Sequence, residues 1–160
     1  MIEKAKFRDA MAHLPAAVNV LTSDGLGGQA GLTATAVSSV TDAPGTLLVC
    51  INRSSRAHEV FLKNGVFCVN TLASDQQELA DIFAAGLDMA ARFLSGSWYR
   101  LVTGSPVLAG AAIAFDCKIS ATSEIGTHTV IFGDVQTISQ AAVPTGLLYF
   151  GRSYHRLGLS

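Results

Sequence analysis

Stretches in which apolar and polar residues alternate, or in which β-branched residues are enriched, recur along this chain and predict mostly strands. The segments that have this pattern are 17–22, 31–40, 46–52, 66–71, 115–122, 129–138 and 147–150. Asp24 and Gly25 lie between the first two segments and are a turn signal. These two strands are therefore predicted to pair as a hairpin.

Helical spacing of apolar residues is confined to short segments, and three helices are predicted. They run over residues 3–13, over residues 56–63 and from Ser74 to Gly86. The first should stop at Pro15, and the second should end at Gly65, where a left-handed residue closes many helices. Ser74 and Gln77 have the spacing of a capping box, which predicts the start of the third helix.

Many short strands with few helices favour a small β-barrel with peripheral helices, because closing a sheet removes its exposed edges. A chain of 160 residues buries one complete core, and it contains no internal repeat or long linker. Residues 1–160 are therefore expected to form a single, mainly β domain.

Charged residues make up only 14% of the chain, well below the ~25% of ordinary globular proteins, and the formal net charge is −1. The charges are scattered, so neither a nucleic acid nor a membrane surface is an expected partner. The chain has no apolar run of ~18 residues and no secretory leader pattern, so a soluble, cytoplasmic protein is expected. The low charge suggests a surface rich in Ser, Thr and Gly, or one partly covered by another subunit.

The three cysteines, Cys50, Cys68 and Cys117, are far apart in sequence. This spacing is unlike that of a zinc site or a disulfide scaffold, and buried thiols are expected. No metal site is predicted.

The four histidines fall into two pairs. His13 and His58 lie on predicted helices, where a solvent-facing position is the simplest expectation. His128 stands at the start of a strand after Gly-Thr, and His155 follows an aromatic run, so these two are candidate functional residues.

Residues 25–30 match the glycine pattern of dinucleotide-binding loops and follow a strand. Such a loop must open a helix that receives the pyrophosphate, whereas residues 31–40 are rich in Thr, Val and Ser. A glycine-rich hairpin turn is therefore the favoured interpretation.

Ser54 and Ser55 lie at a strand-to-helix turn, with Arg53 and Arg56 beside them. Free backbone N–H groups at such a turn bind phosphate well. A plain helix cap with two solvated arginines explains the same residues, and the pattern does not choose between the two. No hydrolase or kinase motif is present, so any catalysis is expected to rest on a bound cofactor.

A series of sequence blocks in this chain resembles the short-chain flavin reductases, in order and over nearly the whole length. The blocks are residues 7–11, 17–20, 31–40, 48–52, 67–70 and 126–128. Within the family, the series looks most like the reductase component of 4-hydroxyphenylacetate 3-monooxygenase. The most specific block is Thr-Ala-Thr-Ala-Val-Ser-Ser-Val at residues 33–40.

This resemblance implies an FMN-binding split β-barrel that forms a homodimer and reduces FMN or FAD with NADH or NADPH. Hydride would pass directly between the two cofactors, so no acid or base residue is implied, and the reduced flavin would serve a separate monooxygenase. Two alternatives stay open: an enzyme that keeps its flavin and reduces a cobalt(II) corrinoid or a metal chelate, and a non-catalytic flavin- or haem-binding split barrel.

The resemblance also implies a set of site residues. The flavin side would comprise Thr33, Ala34, Thr35, Ala36, Val37, Ser38, Cys50, Ile51, Asn52 and Phe83, with Ser54, Ser55 and Arg56 at the phosphate. The nicotinamide side would comprise His128, Tyr149, Tyr154 and His155. Asp81 stands just before Phe83, where family members often carry a basic residue, so the choice between FMN and FAD is left open.

Overall fold

The computed structural model describes residues 1–158. Its helices are α1 (Lys4–Met11), α2 (Arg56–Asn64), α3 (Gln77–Ala84) and α4 (Met89–Arg92). Its strands are β1 (Ala16–Ala17), β2 (Asn19–Ser23), β3 (Ala30–Ala34), β4 (Val37–Asp42), β5 (Gly45–Asn52), β6 (Val66–Thr71), β7 (Trp98–Arg100), β8 (Pro106–Leu108), β9 (Ile113–Ile125), β10 (His128–Gln140), β11 (Gly146–Phe150) and β12 (Ser153–Leu157).

The main sheet has the strand order β3-β2-β6-β9-β10-β5-β4, and its neighbouring strands are antiparallel. In a flat sheet of this order the two outer strands would lie about 28 Å apart. Only Thr35 and Ala36 connect them, however, and the chain from Ala34 to Val37 spans at most about 11 Å. The sheet must therefore curl until its edges meet, which makes it a barrel that is split at residues 35–36.

A hydrophobic core fills this barrel, with residues such as Leu21, Ile51, Phe61 and Ile131 fully buried. The barrel wall requires glycine at position 133, because a Cβ atom there would overlap the ring of Phe67. A second core cluster lies under α3. It contains Val18, Val20, Leu72, Ala80, Phe83, Leu108, Ala111 and Leu147.

Most predicted strands are confirmed, but the predicted strand over residues 31–40 is two strands. It breaks at Thr35 and Ala36, where the chain leaves one edge of the sheet and joins the other. Local propensity favours strand throughout this segment, and barrel closure overrides it. The helix α4 and the strands β7, β8 and β12 were not anticipated.

The predicted hairpin turn at residues 25–30 is confirmed, since β2 pairs with β3 and no helix follows the glycines. The predicted capping box is wrong. Helix α3 starts at Gln77 without a side-chain cap, and the backbone N–H of Ser74 donates to the hydroxyl of Thr145 instead. Within residues 1–158, no helix combines the length and the apolar character that a membrane crossing requires.

Candidate functional site

The segment that joins the two edges of the barrel is exposed and partly free of hydrogen bonds. The carbonyl of Thr35 accepts from Val37 at 2.9 Å, and that of Ala36 accepts from Cys50 at 3.1 Å. Across the described residues, the N–H groups of Thr35 and Ala36 donate to no backbone carbonyl. Two amide donors are thus left for a ligand at this point.

Two adjoining cavities border this segment. The larger, of about 520 Å³, lies between Thr35, Ala36 and the end of α1, and the smaller, of about 270 Å³, lies over β3. Thr35 and Tyr149 line both cavities, and the two adjoining cavities together are called the crevice. Its larger part alone has the volume of a typical small-molecule site.

The smaller cavity brings together residues that are far apart in sequence. Thr33, Ala34, Thr35, Tyr149 and Tyr154 all line it. The rings of Tyr149 and Tyr154 meet edge to face with centroids 5.3 Å apart. Burial raises the pKa of Tyr154, and the negative charge of the nearby Asp81 raises it further, so this phenol keeps its proton.

The side chains of β3 and the following loop leave the floor of the crevice open. The hydroxyl of Thr33 donates to the carbonyl of Ala80 at 2.7 Å, which ties β3 to α3. Ala34 and Ala36 carry only a methyl group each, so a flat ring can lie close to the backbone here.

The end of β5 lies beside the crevice. The side chain of Ile51 is fully buried in the barrel core, so only its backbone faces the side of β5 on which a cofactor is expected. Cys50 is half-buried, and burial raises the pKa of its thiol. The side-chain oxygen of Asn52 accepts hydrogen bonds from the N–H and the hydroxyl of Ser54, at 2.9 and 2.8 Å.

The residues of the turn after β5 already form hydrogen bonds within the protein. Ser55 caps α2 by accepting from the N–H of Ala57 at 3.3 Å, so the helix cap is confirmed. The guanidinium of Arg53 pairs with Glu124 at 3.0 Å, and that of Arg56 donates to the carbonyl of Leu87. The Ser55 hydroxyl still has its hydrogen to donate to an anion.

His128 begins β10 directly opposite Asn52. Its Nδ1 lies 2.9 Å from the hydroxyl of Thr127, which orients the exposed ring. His155 is also exposed, and its Nε2 lies 3.1 Å from the carbonyl of Phe150. Neither histidine lines either cavity, but His128 lies close to the turn after β5.

Four further residues lie outside the crevice. Phe83 is 1% exposed and packs in the second core cluster. Val37 and Ser38 line a separate apolar groove along β4, β5 and β10. His58, expected to face solvent, is buried.

Two arginines were missed by the sequence reasoning. Arg8 and Arg152 both line the larger cavity. Arg152 forms an ion pair with Asp9, whereas Arg8 forms none within residues 1–158. No local signal marks Arg8, because its place beside Thr35 depends on how α1 packs.

The sequence of this chain is similar to a known family and to known proteins. A family model described as the flavin reductase like domain matches residues 11–158. The chain is 51% identical to the FMN reductase (NADH) RutF of Stutzerimonas stutzeri over 154 residues, which cover 96% of this chain and 88% of that protein.

Two solved structures extend the comparison. A candidate flavin reductase from Haemophilus somnus superimposes with a TM-score of 0.95 at 47% identity, and the match covers 98% of this chain and 100% of that one. The styrene monooxygenase flavin reductase of Pseudomonas putida superimposes with a TM-score of 0.86 at 26% identity, over 97% and 99% of the two chains.

Proposed function

The chain belongs to the flavin reductase like domain family, and from this premise we propose that it is an NADH-dependent FMN reductase that releases reduced flavin. Its enzyme class is NAD(P)H:flavin oxidoreductase, because relatives with about half of their residues identical match nearly its whole length. The choice of FMN and NADH is carried over from the name of the Stutzerimonas relative.

The observation that carries the proposal is the crevice at the split of the barrel. Thr35 and Ala36 offer two free amides there, and Ala34 and Ala36 leave space for a flat ring. These donors and this shape fit a flavin, whose ring system has carbonyl oxygens along one edge. We place the ring over residues 33–36, with Cys50 and the backbone of Ile51 beside it.

When bound, the flavin accepts a hydride from the reduced nicotinamide, and this supplies the redox chemistry. The role of the chain is to position the two rings and to stabilise charge. The amides of Thr35 and Ala36 are placed to donate to a carbonyl oxygen on which negative charge grows, which is the usual use of fixed backbone donors in catalysis.

The nicotinamide side is proposed to comprise His128, Tyr149 and Tyr154. Tyr149 lines both parts of the crevice, and Tyr154 supports its ring. His155 keeps only a peripheral place in this proposal because its Nε2 already lies 3.1 Å from the carbonyl of Phe150. Protein acids and bases take no part, since the hydride passes directly between the cofactors.

Two alternative positions are proposed for the single phosphate of FMN. At the start of α2, Ser55 can donate from its hydroxyl, with Ser54 and Arg56 beside it. At the larger cavity, Arg8 is not paired with a carboxylate in the described chain.

We propose a homodimer, because two apolar surfaces of the chain are open to solvent. The groove along β4, β5 and β10 has a volume of about 630 Å³ and includes Ile138, which is 53% exposed. Helix α1 buries none of its residues and leaves Phe7 53% exposed. A second copy that covers such surfaces also explains the low charge of the chain.

The oligomeric state can be measured by light scattering at micromolar concentration. The wild-type protein should have the mass of a dimer, and Ile138→Glu should shift it towards monomer if the groove is the interface. Ile125→Glu is the control, because Ile125 is exposed but does not line the groove. A monomeric wild type would remove the homodimer from the proposal.

A flavin-dependent monooxygenase is the proposed recipient of the reduced flavin, because a structural neighbour is the reductase of styrene monooxygenase. An oxygenase for 4-hydroxyphenylacetate, suggested by the sequence resemblance, is a narrower form of the same proposal. The cytoplasm is the proposed compartment, because the cysteines are free thiols, as is usual in a reducing environment.

Steady-state kinetics with NADH and NADPH against FMN, FAD and a cobalt(II) corrinoid test the function. We expect NADH oxidation that depends on free FMN, with sequential binding of the two substrates. Tight copurification of flavin with ping-pong kinetics would instead support an enzyme that keeps its flavin. An oxidised flavin spectrum that NADH does not bleach under anaerobic conditions would contradict a reductase.

A further inference from the structure

His58 is a buried polar residue that the proposed function does not use. It lies in the first turns of α2 and is only 6% exposed. Its Nε2 lies 2.8 Å from the hydroxyl of Thr129, which is 1% exposed. Its Nδ1 is buried and has no hydrogen-bond partner among the described residues.

Apolar side chains at both positions 58 and 129 would fill this place without leaving a polar side-chain atom unpaired. Burying an unpaired polar nitrogen costs free energy, and most buried polar groups in proteins are satisfied. The hydrogen bond at Nε2 stabilises the fold and the unpaired Nδ1 destabilises it, so His58 contributes little net stability. The hydrogen bond to Thr129 can instead fix the geometry of the two segments that it joins.

The bond connects the two halves of the proposed site. Helix α2 begins directly after Ser54 and Ser55, on the phosphate side. Thr129 directly follows His128, on the nicotinamide side, and pairs with Ile51 of β5. The His58–Thr129 bond thus joins the start of α2 to the start of β10, in addition to the backbone pairing of β5 with β10 and the bond from the N–H of Arg53 to the carbonyl of Thr127.

The other side-chain links between these segments lie at the surface. Arg53 and Glu124 form an ion pair with side chains 43% and 68% exposed, and Arg53 also donates to the carbonyl of Gly126. Exposed pairs of this kind contribute little, because water and salt screen them. Among these links, the His58–Thr129 bond is the one protected from water.

We infer that His58 is a positioning residue: through Thr129 it holds His128 at the distance from the phosphate turn that a bound nicotinamide requires. This inference rests on the proposed function for its kinetic consequence. The His58–Thr129 hydrogen bond, called the tether below, exists in the protein without ligand, so its effect on His128 can be measured separately.

The variants separate hydrogen bonding from packing. His58→Leu keeps an apolar group of moderate size and removes the bond, and Thr129→Val removes the hydroxyl alone. His58→Gln can keep a donor near the position of Nε2, and Thr129→Ser keeps the hydroxyl, so these two are the matched controls.

In the ligand-free protein, the amide resonances of Thr127 and His128 should shift in His58→Leu and Thr129→Val and stay near wild type in the two controls. The KM for NADH should rise about fivefold in the first pair, with kcat changed less than twofold, as loss of one hydrogen bond implies. The double variant His58→Leu/Thr129→Val should be no worse than either single variant.

Unmoved resonances, an unchanged KM, or controls that behave like His58→Leu and Thr129→Val would each overturn the positioning role. Additive effects in the double variant would overturn it too. If the resonances move as expected but the wild-type protein does not oxidise NADH with FMN, the tether is supported and the proposed function fails.

Discussion

The guanidinium of Arg92 donates a hydrogen bond of 2.8 Å to the backbone carbonyl of Gly31. The same side chain also donates to the carbonyls of Phe83, Ala85 and Leu87, and it is 7% exposed. Burial lowers the pKa of Arg92, and the nearby Arg56 lowers it further. One buried cation therefore holds α4 and the end of α3 against β3, just before the exposed residues 35–36.

Arg92→Met should be strongly destabilising, because several buried carbonyls lose their donor. We expect a loss of about 3 kcal/mol in the free energy of unfolding, measured by urea denaturation. Arg156→Met is the control, since it removes an exposed arginine from β12. Equal stability of Arg92→Met and wild type would contradict the role of Arg92 as a clamp.

His128→Ala should weaken binding of the nicotinamide substrate. Loss of one exposed contact is expected to raise the KM for NADH about three- to tenfold while the Kd for FMN changes less than twofold. His155→Ala is the matched control, because His155 is also exposed but lies on β12 in a separate sheet, and its KM should stay near wild type. An unchanged KM for NADH in His128→Ala would contradict the proposed place of His128 on the nicotinamide side.

Arg8→Gln should impair the use of FMN more than the use of riboflavin, which has the same ring but no phosphate. A partly exposed charge contact predicts about a fivefold rise in the KM for FMN, and less at high salt. Lys6→Gln removes a positive charge from the same helix but does not line the cavity. If both flavins were affected equally, Arg8 would have no phosphate role.

The buried cysteines predict a loss of stability in alkaline solution. Burial raises the pKa of Cys117 to about 12 from its ordinary 9.0, with Asp116 adding to the shift, and it also raises that of Cys68. Above pH 9 the thiols ionise in the unfolded chain but not in the folded one. Stability should therefore be unaffected by these groups below pH 9 and fall between pH 9 and 12.

Each buried thiol should contribute a fall of about 1.4 kcal/mol per pH unit in that range, which urea denaturation from pH 7 to 11 can measure. Cys117→Ala is the comparison, since it should be less stable at pH 7 but show a shallower decline. A slope identical to that of wild type would show that Cys117 does not contribute.

Local patterns predicted those features whose causes are local. The ends of α2 follow from Ser55 as a cap and from Gly65, which adopts the left-handed conformation with φ of +68°. The alternation at residues 115–122 predicted a strand, which lies within β9, although the polar Asp116 is buried together with Cys117. In the candidate site, the resemblance of residues 33–40 to a family predicted a role for Thr35 and Ala36.

Tertiary structure decided what depends on contacts between distant segments. No local rule breaks the strand at Thr35, because the break is needed only when the two edges of the sheet must meet. Burial of His58 and Phe83 likewise depends on which element packs over each helix face. Arg8 reaches the crevice only because α1 packs there, since a helix carries its side chains to whatever surface the rest of the fold presents.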